Sequence, residues 1–242
     1  MGQAYATHLE PTGGFLVASR FEADFEKSWF DPGFWGERAS PVAKGGRGSA
    51  WFIESGDGDS LVLRHFCRGG LPGRFIRQEY LFLGADRVRS IAEFRLLDTL
   101  YQRGLPVPEP VAAGFDRCGF LFYRAQIIIR RIPGAYPLAD YTDKGHDAIW
   151  RSAGVCVRRF HDAGVFHADL NCMNILVADQ VYLIDFDRGE LKSGGSNEWK
   201  ASNIDRLERS VAKFFTGSQA DIKDGLWRAF LNGYDKGAET AG

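Results

Sequence analysis

Cysteine is scarce and scattered. Cys67, Cys118, Cys156 and Cys172 are the only four in 242 residues, and no two of them form a C-x-x-C pair. This argues against a structural zinc site or a disulfide framework and fits reduced thiols in a cytosolic protein. Long apolar runs are also missing. Segments such as 125–129 have the length of strands, far short of the roughly 20 residues a membrane helix needs. The start of the chain lacks the basic-then-apolar pattern of a secretory signal. A soluble protein is expected, with attachment to a membrane surface left open. Neither sign of charge is in surplus: 30 Lys and Arg face 31 Asp and Glu, for a net −1. Bulk electrostatics therefore argue neither for nor against nucleic acid, and no nucleic-acid partner is inferred. Internal repeats and low-complexity tracts are absent.

What remains is an ordinary globular composition, 45% apolar and 25% charged, with enough length for one large domain or two small lobes. The stretch through about Ala39 is rich in aromatics (Phe21, Phe25, Trp29, Phe30, Phe34, Trp35) and reads as partly helical. Strand-like runs follow at 49–54 and 60–66, and Gly56-Asp57-Gly58-Asp59 between them is a hairpin signal. From Asp86 to Arg103 the period becomes helical, with Ile91, Phe94 and Leu97 on one face and Gly104 then Pro106 as the stop. Strands are expected near 119–123 and 125–132. Pro133-Gly134 marks a lobe boundary, giving an N-terminal extension and small lobe over 1–132 and a helical lobe over 133–242. In the second lobe an amphipathic helix spans His146 to Ala163, two short strands follow, and helices run from about Ser202 onward.

The most informative segment lies between those strands. His167-Ala168-Asp169-Leu170-Asn171-Cys172-Met173-Asn174 has the form H-x-D-x-x-x-x-N. An apolar strand, a turn at Asp179-Gln180, a second strand and Asp185-Phe186-Asp187 come next. A loop running into a strand can aim Asp169 and Asn174 at one place, and the hairpin can return Asp185 to it. Phosphoryl transfer needs a group that orients the attacking hydroxyl and cations that neutralise phosphate oxygens. The segment resembles the catalytic core of the protein-kinase-like superfamily. The resemblance implies an α+β, two-lobed fold: a small lobe with an antiparallel sheet and one main helix, and a mostly helical second lobe. It assigns Asp169 as catalytic carboxylate and Asn174 and Asp185 as Mg²⁺ ligands, with ATP as phosphate donor.

Upstream, Lys44-Gly45-Gly46-Arg47-Gly48 precedes a strand. Glycines admit close approach of phosphates to backbone amides. Such a cluster marks a plain turn as readily, but its place at the head of the small lobe favours a nucleotide loop of Gly45, Gly46 and Gly48. The strand lysine that kinases pair with a helix glutamate has no counterpart, since no lysine occurs from Gly45 to Asp143. The matching segment is Leu61-Val62-Leu63-Arg64. Arg64 is then the expected nucleotide-site cation and Glu93 its helix partner, with Glu79 as a rival. Arginine is a permanent cation with a forked donor set, so its reach differs from that of lysine.

Three further absences narrow the class. The acidic motif ends in Asp187 where D-F-G has glycine, no A-P-E follows, and the 53 residues from Glu190 to Gly242 are too few for a peptide-binding helical platform. A small-molecule kinase is favoured. Across nearly the whole chain the sequence resembles the 3-deoxy-D-manno-octulosonic acid (Kdo) kinases among the lipopolysaccharide core kinases. The carriers are Phe30-Asp-Pro-Gly-Phe-Trp35, Leu63-Arg-His-Phe-Cys-Arg-Gly-Gly70, Gly104-Leu-Pro-Val-Pro-Glu-Pro110, His167-Ala-Asp-Leu-Asn171, Ile184-Asp-Phe-Asp-Arg-Gly189 and the block from Trp199 to Ser210. The resemblance implies transfer of the ATP γ-phosphate to the 4-hydroxyl of a Kdo residue on a lipid A precursor, by a peripheral protein at the cytoplasmic face of a bacterial inner membrane. The sibling heptose kinases and the aminoglycoside-type phosphotransferases share the core motif. A nucleotide-binding pseudokinase is the reading from another class, with the missing strand lysine as its support.

From Arg64 to Arg95 seven arginines (64, 68, 74, 77, 87, 89, 95) face three acids (Glu79, Asp86, Glu93). This basic stretch suits an anionic acceptor or an anionic membrane surface, and equally a solvated face. No protein partner can be inferred. The N-terminal aromatics are expected to pack onto the small lobe, His161 to cap its helix C-terminus, and His167 to brace the catalytic loop. Arg188, Arg206 and Arg209 are open between substrate contact and surface pairing.

Overall fold

The computed structural model describes residues 4–42, 49–56, 58–67, 79–194, 197–215 and 219–237. Two compact units emerge, residues 1–99 with 109–131 and residues 100–108 with 132–242.

The first unit is an antiparallel sheet carrying one long helix. A hairpin of β1 (Tyr5–Glu10) and β2 (Gly13–Ala18) opens it, followed by short helical turns and α1 (Pro32–Trp35). Then come β3 (Ala39–Pro41), β4 (Ala50–Glu54), β5 (Ser60–His65), β6 (Tyr80–Leu81), the long helix α2 (Arg89–Gln102), β7 (Pro110–Cys118) and β8 (Phe122–Arg130). The described strands pair in the order β1-β2-β7-β8-β5-β4-β3, with β6 also on β8. The partly helical reading of the N-terminus thus missed a hairpin. Gly13 and Gly14 make it possible, because a Cβ at Gly14 would lie 2.6 Å from a Leu9 methyl and one at Gly13 2.5 Å from the Phe115 carbonyl.

Of the strands expected near 119–123 and 125–132, the second falls largely within β8 and the first is misplaced. The ladder runs over 110–118 and 122–130, and Gly119, at φ 66°, turns the chain between them. Phe120 and Leu121, apolar enough to read as strand, sit exposed at that turn. The N-terminal aromatics do pack onto this unit: Phe21, Phe30 and Trp35 are buried. Phe25 joins Phe15, Trp29 and Phe30 at centroid distances of 5.3–5.6 Å. On α2, Ile91, Phe94 and Leu97 are buried as their spacing predicts, and Ser90 Oγ donates to the Gly114 carbonyl at 2.8 Å.

The second unit is mainly helical. After β9 (Tyr136–Pro137) come α3 (Asp147–Asp162), β10 (Val165–Phe166), β11 (Ile175–Val177), β12 (Val181–Leu183), β13 (Glu190–Leu191), α4 (Glu198–Val211) and α5 (Ala220–Lys236). Helices α3 and α5 cross on glycine. A Cβ at Gly154 would fall 2.0 Å from the Phe230 carbonyl oxygen, and one at Gly233 2.0 Å from that of Arg151. Neither position admits a side chain unless the helices part. Strand β11 pairs with both β9 and β12, and Leu183 donates to the Pro106 carbonyl at 3.0 Å, which ties the proline-rich 100–108 segment to this unit.

Candidate active site

The β11–β12 hairpin assembles the acidic motif. Ile175 pairs with Leu183, and the ladder continues through Ile184 N–H to the Asn174 carbonyl at 3.0 Å. Asn174 therefore lies across from the residue preceding Asp185. Asp185 adopts a left-handed backbone, φ 63°, a conformation asparagine and aspartate tolerate better than most residues. Phe186 anchors the turn, fully buried against Phe160 and His167.

The loop before the hairpin is folded around the Asp169 carbonyl, which accepts from Asn174 Nδ2 at 3.0 Å and from Asn171 Nδ2 at 2.9 Å. Asn171 Oδ1 in turn accepts from the Met173 amide. His167 braces the other side. The Asp169 amide donates to its Nδ1 at 3.2 Å, so Nε2 carries the proton and donates to the Ile184 carbonyl at 3.0 Å. Burial holds this imidazole below its usual pKa, and a neutral ring is what both bonds need. His167 ties the loop to the hairpin.

Helix α4 presents one polar face to the loop, at successive turns. Asn203 clamps the His167 backbone, its Oδ1 accepting from the amide and its Nδ2 donating to the carbonyl. Arg206 donates from Nε at 3.1 Å, and also from Nη2, to Asp169 Oδ1. Ser210 Oγ accepts from the Cys172 amide at 3.0 Å. Asn203 and Ser210 are buried, whereas the Asp169 and Arg206 side chains keep 45% and 47% of their surface in solvent.

In the first unit, β5 places Arg64 opposite Ile127 of β8 and Ala50 of β4. Arg64 Nη2 donates to both carboxylate oxygens of Glu93 at 2.6 and 2.5 Å, and its guanidinium lies 4.8 Å from the Phe66 ring centroid. Glu93 is only 3% exposed. Glu79, the rival partner, pairs instead with Arg124 at 2.8 Å. The glycine cluster Gly45, Gly46 and Gly48 lies outside the described residues.

Residues 33–234 match the model of the lipopolysaccharide kinase (Kdo/WaaP) family. The chain belongs to that family. A curated relative in Stenotrophomonas maltophilia, named 3-deoxy-D-manno-octulosonic acid kinase, is 48% identical over 78% of this chain and 76% of its own length. One of the same name in Xanthomonas oryzae pv. oryzae is 47% identical over 87% of this chain and 86% of its own. Among solved structures, WaaP in complex with acyl carrier protein is similar in fold (TM-score 0.55, 14% identity), covering 92% of this chain and 88% of that one. The protein-kinase-like α+β fold is thereby shown.

For this Kdo/WaaP family member, sequence reasoning left Arg206 open and missed Asn203 and Ser210. A signal was there, since all three fall on one face of a helix whose neighbouring positions Leu207 and Val211 are buried. His161 was expected as a C-terminal cap. It instead turns inward, 2% exposed, with Nδ1 2.7 Å from the Tyr234 hydroxyl of α5. Arg188 sits at φ 59° just past the acidic motif. Among the described residues no cluster of three or more His, Cys, Asp or Glu could hold a metal alone. Magnesium does not require one: it commonly takes one or two protein oxygens plus substrate phosphates and water. With Asn174 Nδ2 donating to Asp169, its Oδ1 is the end left for a cation, so the donor set fits.

Proposed function

We propose that this chain transfers the γ-phosphate of ATP to the 4-hydroxyl of a Kdo residue on a lipid A precursor, a step of lipopolysaccharide inner-core assembly. The observation that carries the chemistry is the loop fixed by His167, Asn174 and Asn203, which holds the Asp169 carboxylate half in solvent on a rigid frame. The acceptor rests on the 48% identity to relatives named for it. Asp169 receives the acceptor hydroxyl and takes its proton as the oxygen bonds to the γ-phosphorus and the bond to the bridging oxygen breaks. Asn174 and Asp185 would hold Mg²⁺, which neutralises phosphate charge. Arg64, fixed by Glu93, takes the role of the strand lysine toward the nucleotide phosphates. Gly45, Gly46 and Gly48 are proposed as its backbone cradle.

The same reading places the protein peripherally on the cytoplasmic face of the inner membrane, against anionic lipid. Its support is an apolar cluster where β6 joins β8: Phe120 is 91% exposed, and Leu121, Leu83 and Leu81 are exposed around it. Phe82 donates to the Leu121 carbonyl at 2.8 Å, which holds the two segments together. Patches of this kind mark interaction surfaces, and Arg117 and Arg124 lie beside it on β7 and β8. Among the described residues no helix is long and apolar enough to cross a membrane.

Mass spectrometry of a Kdo-bearing lipid A precursor after incubation with ATP and Mg²⁺ is the test. One added phosphate on the Kdo fragment, located at the 4-position by NMR, is expected. Transfer to heptose alone overturns the acceptor, and nucleotide binding without turnover overturns the activity.

A further inference from the structure

Between His167 and Asn174 the catalytic loop contains no cation, Ala168 standing where H-R-D has arginine. The cation at Asp169 comes instead from α4, 37 positions along the chain. Asn203 and Ser210, on the same helix face, bond to loop backbone, with Ser210 Oγ also donating to Cys172 Sγ at 3.4 Å, and both are buried. Arg206 alone of the three reaches a carboxylate, and it keeps nearly half its surface in solvent. An ion pair this exposed contributes little to stability, so holding the loop does not account for it. Its two donors both fall on Asp169 Oδ1. Among the described residues that leaves Asp169 Oδ2 for an incoming hydroxyl and the Nη1 edge of the guanidinium for an incoming anion.

We infer that Arg206 is the residue that recognises the carboxylate of the acceptor sugar, a deepening that rests on the reading of the chain as a Kdo kinase. In that acid the carboxylate and the 4-hydroxyl sit on ring carbons separated by a single methylene. A cation that binds the carboxylate must then stand directly beside the group that receives the hydroxyl, and Arg206 does. A planar guanidinium can bridge two carboxylates, that of Asp169 and that of the acceptor, through different edges. The pairing would select an acidic sugar and set its hydroxyl against Asp169 in one contact.

The test compares the wild type, Arg206→Gln and Arg206→Lys on the natural acceptor and on the same acceptor with its Kdo carboxylate methyl-esterified. For the wild type, esterification should lower kcat/KM for the acceptor about 10²-fold, the size expected for unpairing a charged hydrogen bond. Arg206→Gln should lose about as much on the acid, mainly through the acceptor KM, and little more on the ester. Arg206→Lys, which keeps the charge without the fork, should fall between. Two losses that multiply in the combined experiment would overturn the inference. So would a rise in KM for ATP with the acceptor KM unmoved, which would assign Arg206 to the nucleotide phosphates. Absence of transfer by the wild type would instead defeat the underlying kinase reading.

Discussion

Each unit of this chain carries an arginine–carboxylate pair among its candidate site residues, and the two are built in opposite ways. Arg64 and Glu93 meet over both carboxylate oxygens, with Glu93 sealed from solvent and the guanidinium over Phe66. Arg206 and Asp169 meet over one oxygen, each about half exposed. Coulomb attraction between unit charges at contact rises several-fold as the effective dielectric falls from that of water toward that of a protein surface or interior. The first pair is consequently a fixed strut whose members cannot part without leaving a charge buried. The second is exchangeable at little cost, as a carboxylate that must receive a substrate hydroxyl requires. Where a charge is buried it sets geometry, and where it is exposed it is available for chemistry.

The largest expected effect breaks the exposed pair at its acidic end. Asp169→Ala should lower kcat by about 10²–10⁴-fold, the usual range for a positioned base, and leave the urea midpoint close to that of the wild type. A large loss of stability would show that Asp169 supports the fold and would remove the contrast. Next comes the buried pair. Glu93→Gln should cost about 3 kcal/mol by urea denaturation, because one member of a buried pair is left uncompensated. The 25% exposure of the Arg64 side chain moderates that figure through solvation. Replacing both, as Arg64→Met with Glu93→Leu, should recover most of the stability and none of the activity.

These contrasts bear on what could be read from the residues alone. The pairing of Glu93 with Arg64 was legible because one lies on a helical period and the other stands in an apolar strand, at the position where a kinase lysine is missing. The placement of Asp169, Asn174 and Asp185 around one hairpin was legible from spacing, since a hairpin of fixed length must return its ends to one place. Arg206 was legible only as one of a polar row at helical spacing, because which turn of α4 faces the loop depends on packing between segments far apart in sequence. The N-terminal hairpin was hidden for a different reason. Its strands are set by glycines that permit close approach, Gly13 and Gly14, and by aromatics that suit helix or strand alike. The Phe120-Leu121 turn misled outright, because apolar residues placed in the open carry the signature of burial.

A smaller effect lies beneath the catalytic loop. Burial pushes His161 down to about 4, with Lys200 and Arg158 acting in the same direction and Asp162 against it. In the unfolded chain this imidazole titrates near 6.5. Between those values the unfolded state binds the extra proton, so stability is full above about pH 6.5 and declines as the pH falls toward 4. The decline attributable to this residue amounts to roughly 3 kcal/mol at most. Urea denaturation at pH 7, 6 and 5 should show it, and His161→Gln should flatten that portion of the curve. An unchanged slope in the variant would assign the acid sensitivity elsewhere.

The smallest expected effect is the most discriminating for the exposed pair. Arg206→Gln should change folding stability by less than about 1 kcal/mol, the range for ion pairs in contact with solvent. The change should shrink further when salt is raised, since exposed charges are screened. Asn203 and Ser210 supply the bonds that hold α4 to the loop, so the loop should keep its shape when the guanidinium is gone. Asn203→Ala is the matching control. It leaves the buried His167 amide and carbonyl without partners, a cost of about 1–3 kcal/mol for each unsatisfied group, and should exceed Arg206→Gln in lost stability. If Arg206→Gln proved the more destabilising of the two, the pair with Asp169 would belong with Arg64 and Glu93 as a strut, and its exposure would need another explanation.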